Sequence, residues 1–132
     1  MRLIATTLHE LLEIALEDLK KSEESGDIID MDVLYLTDPQ GKCHVCLAGA
    51  VMKNTLKVLP GGLICGEKGF DEVLAINCLR MGEIRHAYWL FYNKPLPLRV
   101  EGYIPITEYA THPGIYKENM QQLIDHLKYH EV

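Results

Sequence analysis

Two thiols and an imidazole stand together at Cys43-His44-Val45-Cys46. Thiolates are both soft metal ligands and nucleophiles, so a C-x-x-C pair has two chemical readings: half of a zinc site, or a redox dithiol. A structural zinc site takes four ligands, commonly as two close pairs. Here Cys43 and Cys46 form one pair, but Cys65 and Cys78 are thirteen residues apart and supply no second one. His44 does not join them if the segment is helical, because neighbours on a helix point apart. The bland alternative is that free cysteines act as small buried hydrophobes.

The redox reading rests on position. A C-x-x-C at a helix N-terminus after a strand is the thioredoxin arrangement, in which the helix dipole lowers a thiol pKa and makes a nucleophile. Cys43 and Cys46 are therefore the catalytic candidates. Tyr103-Ile104-Pro105 imitates the proline loop of that fold. Two features depart from it. Pro60-Gly61-Gly62 stands where a continuous strand is needed, and residues 106–114 leave too little room for a hairpin.

Histidine spacing gives two more candidates. His126 and His130, four apart, share a face of a C-terminal helix and could hold zinc with a carboxylate. Equally, cationic histidines are favourable near a helix C-terminus. Glu83 and His86 form one E-x-x-H unit, which di-iron bundles use twice; no second copy exists. The glycine-rich run 61–69 is not a phosphate loop. Counting from Gly61, Glu67 stands where that motif needs lysine and Lys68 where it needs serine or threonine.

A last pattern is basic and aromatic. Arg80, Arg85, Lys94 and Arg99 face a single acid, Glu83, across residues 80–99, with Tyr88, Trp89, Phe91 and Tyr92 interleaved. Stacking plus cations holds single-stranded nucleic acid. The alternative is a core aromatic cluster rimmed by arginines. A pI near 5.4 weighs against a nucleic-acid binder.

These residues need elements to position them. Leu8, Leu11, Leu12, Ala15 and Leu19 share one face of a helix over 7–22, with Thr7 and Glu10 as a reciprocal capping box. Residues 31–37 read as a strand, and Asp38-Pro39-Gln40-Gly41 as a type I turn. From Val45 to Met52 the chain is apolar on every side. A helix over 43–57 is therefore expected in the middle of the domain, with Ala48, Gly49 and Ala50 allowing close backbone approach. Cys46 is expected to be buried. Residues 63–66 read as a short extended piece. A long helix over 71–92 follows, with Leu74, Cys78, Met81, Arg85 and Tyr88 on one face, and Val73, Ile76, Leu79 and Ile84 broadening the buried sector. Pro95 and Pro97 exclude a central strand, leaving 98–104 as an edge element. Pro113 suits the first turn of a last helix over 113–130, with Tyr116, Met120, Leu123, Ile124 and Leu127 inward.

The predicted fold is mainly α, an α-rich α+β bundle of about four helices in one domain of 132 residues. A chain of this size buries roughly two thirds of its unfolded surface and needs neither metal nor disulfide for a core. No run reaches the length and apolarity of a membrane span, and the opening residues do not read as a secretory signal, since His9, Glu10 and Glu13 interrupt them. A cytoplasmic protein with reduced thiols is expected. Residues 1–38 hold ten acidic and three basic residues, a net of −7, against +1 for the remainder.

Residues 41–52, GKCHVCLAGAVM, resemble a stretch found in small uncharacterised phage and prophage proteins: a glycine, a cysteine, then a short Leu/Ala/Gly-rich helix. The likeness implies a structural segment and brings no activity with it. The second cysteine and His44 depart from the pattern, and no site is transferred.

The reading that follows is a non-enzymatic accessory protein, without cofactor or membrane contact, acting on a protein partner or by self-association. Its candidate surfaces are an acidic first helix (Glu10, Glu13, Glu17) and a basic aromatic helix end (Arg85, Trp89, Tyr92, Lys94). A thiol or zinc protein using Cys43 and Cys46 is the alternative, and a nucleic-acid binder a further one.

Overall fold

The computed structural model describes residues 4–57, 70–100 and 113–132. Helix α1 spans Leu8–Glu24. Thr7 caps it, its hydroxyl accepting the Glu10 amide at 3.2 Å. The reciprocal half of the expected capping box is replaced: the Glu10 carboxylate takes the Thr6 hydroxyl proton at 2.9 Å. Leu8, Leu11, Leu12, Ala15, Leu16 and Leu19 form its buried stripe.

Three short strands follow: β1 (Ile28–Ile29), β2 (Tyr35–Thr37) and β3 (Cys43–Val45). They form a sheet in the order β1-β3-β2. β1 runs parallel to β3, pairing Ile28 with His44 and Ile29 with Val45. β2 runs antiparallel to β3, pairing Tyr35 with Val45, Leu36 with His44 and Thr37 with Cys43. The expected turn joins β2 to β3, with the Gly41 amide donating to the Asp38 carbonyl at 2.9 Å. The Asp38 side chain tightens it by accepting the Gln40 and Lys42 amides.

The helix expected over 43–57 is shorter and starts later. Cys43–Val45 is the central strand, and α2 runs Leu47–Asn54. A run of apolar residues has no period that marks where a buried strand hands over to a buried helix. The central placement does hold, since Leu47 to Met52 are all buried. α1 packs on α2 and on the last helix, Tyr116–Tyr129, and α2 also touches the helix Phe70–Arg80. A polar clasp joins α1 to α2: the Asn54 amide donates to the Asp18 and Ala50 carbonyls and to the Ser22 hydroxyl, while Thr55 donates to the Asp18 carboxylate.

The helix expected over 71–92 is two helices, α3 (Phe70–Arg80) and α4 (Ile84–Tyr92). Gly82 breaks them at φ +77°. Its amide bonds the Leu79 carbonyl at 3.0 Å, and the Glu83 amide bonds Cys78 at 2.8 Å. That pair of bonds is a Schellman stop, which favours glycine at the left-handed position. Of the residues expected inward, Val73, Ile76, Leu79 and Tyr88 are buried and Cys78 and Ile84 are half-buried, whereas Leu74, Met81 and Arg85 are exposed.

Of the strand expected over 31–37 only Tyr35–Thr37 is paired, and β1 went unread because two residues show no alternation. Leu98–Val100 is a 3-10 turn, not an edge strand. A second 3-10 turn at Pro113–Ile115 leads into α5 (Tyr116–Tyr129), whose buried face is the predicted one. The described residues thus hold five α-helices around one core. The extended piece at 63–66, Cys65, residues 101–104 and the Tyr103-Ile104-Pro105 segment lie outside the described residues.

Candidate interaction site

The two paired cysteines do different jobs. Cys46 is the N-cap of α2, in extended backbone at φ −95° and ψ −170°. Its Sγ accepts the Gly49 amide at 3.5 Å and lies 3.7 Å from the Leu34 carbonyl, to which the thiol donates. It is 0% exposed. Burial pushes the thiol pKa up, with the Gly49 N–H pulling more weakly the other way. Cys43 lies in β3, half-buried, where the nearby charges are the Lys53–Asp27 ion pair. Burial raises its pKa too, against the smaller opposite pull of Lys53. A thioredoxin-like thiol would be an exposed one at the helix start. Here the residue at the helix start is the buried second cysteine, and the more accessible first one sits back in the sheet. Cys78 is half-buried on α3.

His126 and His130 do meet, with ring centroids 4.7 Å apart. His126 Nε2 stands 3.1 Å from the Val100 carbonyl, and the Arg99 guanidinium donates to the His130 carbonyl at 3.1 Å. Burial, then His126, then Arg99 hold the His130 pKa down. Among the described residues no group of three or more His, Cys, Asp or Glu converges on a point that would hold a metal ion.

His44 joins neither thiol, and the sheet gives it a setting of its own. It sits mid-sheet between the half-exposed Ile28 and Leu36. Its Nε2 is 2.8 Å from Asp38 and its Nδ1 3.8 Å from Asp30. The His44 hydrogen bond is the largest influence holding the Asp38 carboxyl below its usual range. Asp38 was legible only as a turn residue; strand pairing brings it to His44.

The acidic side chains of α1 are exposed: Glu10 on Thr6, Glu13 within 4.0 Å of both His9 and Lys128, and Glu17 outward. At the other candidate surface, Arg85 and Trp89 lie one turn apart on the exposed flank of α4. Trp89 is 51% exposed. Tyr92 turns inward instead. Its hydroxyl accepts the Leu8 amide at 2.9 Å and donates to the Val132 carbonyl at 2.6 Å. Asn93 ends α4 in the left-handed region at φ 59°, its amide bonding the Trp89 carbonyl, and Lys94 follows, exposed.

Between this helix end and the start of α3 lies a concavity of about 420 Å³, lined by Asp71, Trp89, Leu90, Phe91, Tyr92 and Asn93. Phe91 and Tyr92 meet edge to face, centroids 4.8 Å apart. Asp71, in the first turn of α3, joins this wall without any local sequence signal, because its approach to residues 89–93 depends on the fold. No helix of the described residues is long and apolar enough to cross a membrane. Comparison of the chain with protein families, with characterised proteins and with solved structures finds no match.

Proposed function

We propose that the protein is a non-enzymatic accessory module that contacts another protein through the C-terminal end of α4. One observation carries this reading: the chain's single tryptophan stands half out of the surface, on the wall of a concavity. Indole carries a large apolar surface, and tryptophan is enriched where partners bury their anchoring residues. The inward pull on Tyr92 supports the reading, since it fixes the helix end that presents Trp89. The thiols support it from the other side, because burial disfavours the thiolate of both Cys43 and Cys46.

The test is a photo-crosslinking amino acid at position 89, compared with the same group at position 17 on the acidic helix, in the cells that make the protein. The expected result is a discrete crosslinked protein from position 89 alone. With that partner purified, Trp89→Ala should weaken binding by about tenfold or more. Equal crosslinking from both positions, or full affinity in Trp89→Ala, removes the reading.

A further inference from the structure

We infer that the concavity beside Trp89 receives a side-chain cation, foremost an arginine guanidinium, from the partner protein. The inference rests on the contact proposed above and names its chemistry. Two side chains of the wall suit a cation. Asp71 is a lining residue and carries a carboxylate. Trp89 contributes an indole, whose face is the best aromatic surface for a cation. No basic residue is among the described lining residues; Lys94 comes next in the chain, after Asn93. Guanidinium suits the site better than ammonium, since its plane can stack on the indole while its fork reaches a carboxylate.

A small free cation would satisfy the same wall, so the experiment separates the sources. In ¹⁵N-labelled protein the single tryptophan gives one indole N–H resonance, which reports on this site alone. It is titrated at constant ionic strength with a blocked Gly-Arg-Gly peptide, its citrulline counterpart and methylguanidinium. The arginine peptide should give a saturable shift, with the citrulline peptide weaker by roughly three- to fivefold. Asp71→Asn should weaken the arginine peptide about threefold, and Asp71→Glu should restore it. Equal binding of arginine and citrulline peptides, or indifference to Asp71→Asn, overturns the cation. Tighter binding of methylguanidinium than of the peptide overturns the protein source. A crosslinked partner whose affinity ignores Asp71→Asn would sink this inference and leave the contact at Trp89 standing. A peptide that binds without any crosslinked partner would do the reverse.

Discussion

Gly49 lies directly against the backbone of Leu34. A Cβ added to Gly49 would stand 1.6 Å from the Leu34 carbonyl oxygen and 2.8 Å from its carbon. Both neighbours are backbone, and the same oxygen takes the Cys46 amide at 3.4 Å, so it has little room to retreat. Gly49→Ala should therefore push α2 off the sheet, at a cost of roughly 2–3 kcal/mol. Thermal unfolding should show a Tm lower by about 10 °C. A wild-type Tm would mean that α2 and the backbone at Leu34, just before β2, are not in contact there.

The thiols should differ in reactivity. Cys46 is buried and capping, so alkylation should reach it only through unfolding, whereas half-buried Cys43 should react slowly in the native state. Mass-spectrometric mapping of iodoacetamide labelling at pH 8 reads both. Fast native labelling of Cys46, or ready formation of a Cys43–Cys46 disulfide, would revive the redox alternative.

Much of this packing was legible. The amphipathic period of α1 and α5 named their buried faces, and the small residues at 48–50 announced a close contact, because both signals are local. What was not legible depends on partners distant in sequence. Cys43–Val45 is a strand only because Ile28–Ile29 and Tyr35–Thr37 pair with it on both sides. Gly82 was read through because one glycine in an apolar pattern is tolerated in a helix and fatal to it only when the flanking carbonyls find Schellman donors. The concavity at Trp89 joins Asp71 to residues about twenty positions later, a juxtaposition that the loop geometry sets.

Tyr92 should matter to stability through its hydroxyl alone. It links the first turn of α1 to Val132, whose carbonyl also takes the Leu8 amide at 2.8 Å. Tyr92→Phe keeps the ring and should cost about 1–2 kcal/mol in urea unfolding. The Trp89 indole resonance should barely move in this variant. A large move would show that the hydroxyl also shapes the concavity.

His44 should be the main cause of the low Asp38 pKa. In His44→Gln the Asp38 carboxyl should titrate closer to its ordinary range, as followed by carboxyl ¹³C shifts. The sign for stability follows from the direction. A carboxyl lowered in the fold adds stability above its unfolded pKa, about 3.9, and loses it as pH falls through the lower folded value. His44→Gln should shrink that acid-side loss. An unchanged Asp38 would assign the effect to the Lys42 and Gln40 amides.

Asp18 should behave in the opposite sense. It is buried on α1, and burial raises its pKa more than the Thr55 hydrogen bond and Lys21, 4.0 Å away, lower it. Below the unfolded pKa, about 3.9, both states are protonated and the group costs nothing. As pH rises, the unfolded chain gives up the proton first, so folding loses stability until the raised folded pKa is passed. Above that the full penalty remains. Asparagine at this position keeps an oxygen for the Thr55 hydroxyl and carries no titrating charge. Asp18→Asn should therefore be more stable than the natural chain at pH 7, and the difference should close as pH falls toward 4. Urea unfolding of both proteins across that range reads the gap directly. A less stable Asp18→Asn at pH 7 would mean that the ionised carboxylate, through Thr55 and Lys21, outweighs the cost of burying it.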